Sequence, residues 1–153
     1  MKTQINIKEI SEDNFNNLEL PILFEDKLTD RVFAIISNGN QKYKFSWQST
    51  ISKPKITNID KFRYAIGIDL IFIIFDFLTG NKLLQLTLDY FFYDIKIYKD
   101  FIYVISELEI LKIDIKKLLV IKEIALPDYF ESIELNDKLI QVKCVSGEIV
   151  KIE

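Results

Sequence analysis

Ile73-Ile74-Phe75-Asp76-Phe77 and Leu111-Lys112-Ile113-Asp114-Ile115 are two versions of one segment, separated by 38 residues when Asp76 is set over Asp114. At the same offset Leu86-Thr87-Leu88 falls on Ile124-Ala125-Leu126, and Ile95, Ile97, Ile102 and Val104 fall on Ile133, Leu135, Ile140 and Val142. With one inserted residue, Ile110-Leu111-Lys112-Ile113-Asp114 then lands on Ile149-Val150-Lys151-Ile152-Glu153. The repeating pieces are short apolar runs of strand length. A period of this size built from such pieces marks an array of four-stranded units.

Working outward, the clearest unit has strands at Asp94 to Tyr98, Phe101 to Ser106, Ile110 to Ile115 and Leu119 to Leu126, each apolar or alternating and separated by polar breaks. Subtracting the period places the preceding unit at Lys55 to Ile59, Arg63 to Ile68, Ile71 to Phe77 and Lys82 to Leu88. In Asp76-Phe77-Leu78-Thr79-Gly80-Asn81 the carboxylate can accept turn amides and Gly80 tolerates a positive φ, so a tight hairpin is predicted. The most divergent unit, residues 14 to 54, is expected to hold strands at Asn17 to Phe24, Arg31 to Ile36 and Gln41 to Trp47. Ser37-Asn38-Gly39-Asn40 supplies its turn. Pro54 lacks an N–H for a ladder, which shortens any fourth strand there. Ser11 to Asn17 reads as a loop, a short helix capped by Ser11 or Asp13 being the alternative.

An apolar strand ending in Asp, two residues, Thr-Gly and a second apolar strand, as in Phe75-Asp76-Phe77-Leu78-Thr79-Gly80-Asn81-Lys82-Leu83-Leu84, resembles the outer hairpin of quinoprotein-like and WD-repeat β-propellers. The resemblance implies an all-β, propeller-like array of about four small antiparallel sheets within one domain, residues 1–153. Propellers often close by lending an N-terminal strand to the C-terminal blade. Because Ile7-Lys8-Glu9-Ile10 matches the outer strand Ile121-Lys122-Glu123-Ile124, that closure is expected here. An open arc or a β-sandwich of the same hairpins is the alternative.

Composition agrees: the chain has 153 residues, 49% hydrophobic and 28% charged, its apolar content dominated by Ile, Leu, Phe and Tyr, with Ala scarce. Lys and Arg number 20 against 23 Asp and Glu, and only Arg31 and Arg63 are arginines. An acidic chain poor in Arg is unsuited to phosphate backbones and base edges, so no nucleic-acid partner is expected. Apolar runs are interrupted by charge, as Asp69 and Asp76 bracket Leu70 to Phe75, so no membrane span is expected. No apolar leader follows Met1, and a lone Cys144 suits a reducing compartment; the cytoplasm is the expected location.

Histidine is absent, which removes imidazole relays and most zinc or copper sites. Cys144 aligns with Ser106 inside a strand and reads as an inert core or semi-buried thiol. The recurrent Asp76, Asp114 and Glu153 are explained by capture of turn amides. Gly39, Gly67, Gly80 and Gly147 stand apart, so there is no phosphate-cradling loop, and the acidic residues do not follow a calcium-loop pattern. No catalytic residue, cofactor or metal is expected.

The connections between units carry the best surface candidates. Tyr90, Phe91, Tyr93 and Asp94 lie in one, and Asp128 and Tyr129 in the next. Rigid rings beside charge suit a protein partner site, although alternate rings also suit packing between sheets. Trp47 is a further candidate anchor on the same terms. The expected function is a non-enzymatic protein-binding module, in specific form an immunity protein neutralising a basic toxin. A carbohydrate-binding or carbohydrate-processing domain is the alternative.

Overall fold

The computed structural model describes residues 5–27, 31–48 and 52–152, so the recurring acidic position at Glu153 lies outside the described residues. The described chain forms four small antiparallel sheets, laid out in sequence order. The first contains β1 (Ile5–Ile10), β2 (Val32–Asn38) and β3 (Gln41–Trp47), with the helix α1 (Glu12–Asn17) between the first two strands. The second contains β4 (Lys55–Asn58), β5 (Arg63–Ile68), β6 (Ile71–Asp76) and β7 (Lys82–Thr87). The third contains β8 (Phe92–Tyr98), β9 (Phe101–Ser106), β10 (Glu109–Asp114) and β11 (Leu119–Ala125). The fourth has three strands, β12 (Phe130–Leu135), β13 (Ile140–Cys144) and β14 (Ile149–Ile152).

The period seen in the sequence is a structural period. Asp76 Oδ1 accepts the amides of Leu78 and Thr79 at 2.8 and 3.2 Å, while Asp114 Oδ1 accepts those of Lys116 and Lys117 at 2.9 and 2.8 Å. The Gly80 and Leu118 amides donate to the carbonyls of these aspartates, both at 2.8 Å. Both turn residues have positive φ, 79° for Gly80 and 54° for Leu118, so the hairpin survives loss of Thr-Gly at the cost of a strained leucine. Register shifts follow at matching places, Ile74/Phe75 and Lys112/Ile113.

Successive sheets are joined by matching backbone bonds. Phe92 N–H donates to Asp69 O at 2.7 Å, and 38 residues on, Phe130 N–H donates to Glu107 O at 2.9 Å. In the preceding unit that donor position is Pro54, which has no N–H. There the Gln48 amide instead donates to the Asp69 carboxylate at 3.0 Å.

Apolar burial follows the same order. One core cluster holds Ala34, Ile36, Phe45 and Trp47 of the first sheet with Ile66, Ile73 and Phe75 of the second. A second joins Ala65, Phe72 and Ile74 to Ile95, Ile102 and Ile113 of the third sheet. A third joins Tyr103, Ile105 and Ile110 to Val142, Cys144 and Ile152 of the fourth. Among the described residues no such cluster joins the fourth sheet to the first, and no sheet is closed.

The expected closure by the N-terminal strand is therefore corrected: β1 pairs with β2, Ile7 opposite Ile36 and Ile10 opposite Phe33. Ile5 and Ile7 pack onto the first core cluster, and this local burial decides the partner. β1 thus takes in its own sheet the place that β4, β8 and β12 take in theirs. The strand expected over Asn17 to Phe24 is corrected too. Residues 21 to 26 instead run parallel beside β3, with Lys44 N–H bonded to Pro21 O at 3.0 Å and Leu23 N–H to Lys44 O at 2.9 Å.

Ser11 to Asn17 adopts the helical alternative. The Ser11 hydroxyl accepts the Asn14 amide at 3.1 Å, and Phe15 is buried with its ring 5.0 Å from that of Phe33. Lys44 closes the other end, its Nζ donating to the carbonyls of Phe15 and Leu18 at 2.6 and 2.9 Å. One side chain from the sheet thus satisfies groups that a six-residue helix leaves open.

Candidate functional site

The joints between sheets fix the position of the candidate aromatic residues. Glu107 N–H donates to Phe91 O at 3.0 Å, and Val145 N–H donates to Tyr129 O at 2.8 Å, again one period apart. Each connection is thereby tied to the turn beside it. Asp128 is half-buried and accepts the Ser146 amide at 2.8 Å, tying a third residue to the same turn.

On this braced rim the rings of Phe91, Tyr93 and Tyr129 are 53%, 50% and 54% exposed, with Val145 at 62% beside them. Tyr90 is also exposed. The Tyr93 ring lies 5.3 Å from that of Phe130, which links the two connections into one stripe. Rings packing between sheets are their neighbours Phe92 and Phe130, each attached to a core cluster. Alternation along the strand sends one set inward and the other outward.

Asp94 is half-buried and held by lysines, 3.8 Å from Lys55 and 3.5 Å from Lys96, with Lys55 Nζ also 5.3 Å from the Tyr93 ring centroid. Carboxylates crowd the same end. Burial, followed by the neighbouring charges of Asp89 and Glu123, raises the Glu109 pKa above its ordinary value. Trp47 is the exception among the expected anchors. It is 1% exposed and stacked on Phe45 at 5.3 Å, so it belongs to the core between the first two sheets and presents no contact surface. Cys144 is fully buried, as its place in a strand predicts.

Two grooves between sheets were not found by reading the sequence. One, about 610 Å3 between the first two sheets, is lined by Asn38, Gln41 and Asn58 together with the rings of Phe62, Tyr64 and Phe77. Asn38 Oδ1 is buried there without a hydrogen-bond partner among the described residues. Asp60 also lines this groove, and its Oδ2 accepts from Arg63 Nε at 2.6 Å. These residues come from separate hairpins and show no common spacing. The second groove lies between the third and fourth sheets.

Among the described residues no group of His, Cys, Asp and Glu is placed to hold a metal ion, and no helix is long and apolar enough to cross a membrane.

No family model matches the sequence, and no curated protein matches it significantly. Solved structures do resemble it. The computationally designed Ika4 protein superposes with a TM-score of 0.57 at 12% identity, covering 89% of this chain and 92% of that one. Hsv2 of Kluyveromyces lactis gives 0.50 at 13% identity over 88% of this chain, and a second Hsv2 structure, from Kluyveromyces marxianus, gives 0.50 at 14%. This chain spans about half of each Hsv2, 47% and 49%. At such identities the likeness concerns the fold alone: a propeller-like series of small antiparallel sheets.

Proposed function

We propose that this chain is a non-enzymatic protein-binding module that engages a basic protein through the aromatic rim. The carrying observation is the exposure of Phe91 and Tyr129 on connections whose backbones are bonded to adjoining turns, with Tyr93 exposed near the start of β8 beside them. Exposed rings on fixed backbone lose little conformational freedom on binding, which is what makes aromatic anchors effective. Asp89, Glu107 and Asp128 sit in or beside these connections, and the whole chain carries a net charge of −3. Opposite charge on a partner would speed encounter and fix orientation, while the rings supply the lasting contact.

An immunity protein that neutralises a basic toxin is the specific form we favour, acting in the cytoplasm where such a toxin would be held inactive. The test is co-expression with a basic, nuclease-like protein encoded beside it, followed by copurification at rising salt. Retention of a complex by the wild type, and its loss in a Phe91→Ser/Tyr129→Ser double variant of unchanged thermal stability, supports the reading. A chain recovered alone at every salt concentration defeats it.

The groove between the first two sheets favours a second reading, as a carbohydrate-binding domain. Amides of Asn38, Gln41 and Asn58 beside Phe62, Tyr64 and Phe77 offer donors, acceptors and apolar ring faces together. Saturable binding on a glycan array, abolished by Tyr64→Ala but not by the rim variant, would move the assignment there.

A further inference from the structure

The groove between the third and fourth sheets has a different chemistry from the aromatic rim. It is a cavity of about 360 Å3 whose lining includes Phe101, Tyr103, Lys112, Asp137, Lys138 and Lys151. Tyr103 is fully buried, yet its hydroxyl has no hydrogen-bond partner among the described residues. A buried donor left unmatched is costly, so it calls for a partner brought from outside.

The ionic lining is one-sided. Among the described residues Lys99, Lys112, Lys138 and Lys151 line it with a single carboxylate, Asp137, in a chain whose net charge is −3. That carboxylate is already engaged, accepting from the Tyr98 hydroxyl and lying 3.1 Å from Lys99 Nζ. Its bond holds the Tyr98 pKa up at about 12, so this hydroxyl stays a donor committed to Asp137. Lys112 Nζ instead hangs over the Phe101 ring, 4.1 Å from its centroid, and 6.0 Å from that of Tyr103.

The repeat supplies an internal comparison. One period earlier, at the joint between the second and third sheets, the positions of Tyr103 and Lys112 are held by Ala65 and Ile74, both fully buried in the apolar cluster. A joint of this kind therefore packs without a hydroxyl or an ammonium at these places.

We propose that this groove binds a small organic anion, a phosphate or carboxylate attached to an apolar ring or chain. The acid group would accept from Tyr103 and pair with Lys112 and Lys151, while the apolar body lies against Phe101. This assignment is independent of the protein-binding rim.

The test is titration of the isotope-labelled protein with phenyl phosphate, benzoate and inorganic phosphate, followed by amide shifts. Saturable shifts confined to the groove with phenyl phosphate or benzoate are expected, and the tighter of the two identifies the acid group. Inorganic phosphate should bind roughly tenfold or more weakly for want of the apolar body. Lys112→Met should weaken binding by roughly tenfold, with Lys151→Met as the second variant should the first not fold. Tyr103→Phe should weaken binding while leaving the thermal stability of the unliganded protein equal or higher. Shifts that never saturate, equal binding of inorganic phosphate, wild-type affinity in the Lys112 and Tyr103 variants, or a Tyr103→Phe protein of lowered stability would each overturn the proposal.

Discussion

Replacing Gly67 by alanine tests how closely the second and third sheets meet. A Cβ at this position would lie 2.3 Å from Phe92 Cε2 and 2.5 Å from Cδ2 and Cζ. Carbon atoms pack at about 3.5 Å, so the ring must retreat by about 1.2 Å. Its backbone does not follow freely, because Phe92 N–H is bonded to Asp69 O at 2.7 Å and Phe92 pairs with Ser106. Overpacking of this kind costs about 1–3 kcal/mol, against which alanine in a strand gains roughly 0.5–1 kcal/mol over glycine. The net expectation for Gly67→Ala is a loss of about 1–2 kcal/mol, or about 2–8 °C in Tm. Urea unfolding of the wild type, Gly67→Ala, Phe92→Ala and the double variant forms the assay. With the ring removed the added methyl should become neutral or stabilising, so the effect changes sign between backgrounds. An equal cost in both backgrounds would refute the claim that this glycine exists to admit Phe92.

Other perturbations follow from the same geometry. Asp114→Ala should cost about 1–2 kcal/mol by freeing two turn amides, Asp76→Ala a similar amount, and the asparagine variants less, as read by chemical unfolding. Lys44→Met removes two charge-assisted bonds to the end of α1 and should cost about 2–3 kcal/mol, with amide exchange across residues 12–18 accelerated first. Glu109 has a folded pKa above its ordinary value, so its ionised form opposes folding; Glu109→Gln should therefore stabilise the protein at pH 7. That gain should fade as pH falls through the raised folded pKa and vanish below the unfolded one, where both states are protonated; a gain that persists at low pH contradicts the assignment.

Much of the architecture was legible because a repeated unit prints the same alternation each time. The strand bounds β5 and β9 match their sequence reading, Arg63–Ile68 and Phe101–Ser106, and the Asp76 and Asp114 turns have like surroundings. The rim residues Phe91, Tyr93 and Tyr129 were legible as ring-rich connections between units. Their exposure was not, since neighbours Phe92 and Phe130 are equally aromatic and turn inward. Trp47 shows the converse error: its residue type fits an anchor, but its strand face puts it against Phe45.

The order of apolar and polar residues, repeated every 38 positions, was enough to determine that this chain makes small antiparallel sheets and where their hairpins turn, because alternation and turn chemistry are local. Which strand lies beside β2, whether the series closes, and which side chains meet across a groove were decided only in three dimensions. Ile7-Lys8-Glu9-Ile10 specifies a half-buried strand and nothing about its partner; the burial of Ile5 and Ile7 against the first cluster selected one. Tyr103, Lys112, Asp137 and Lys151 likewise come from separate strands and turns, and only the packing of one sheet on the next makes them neighbours.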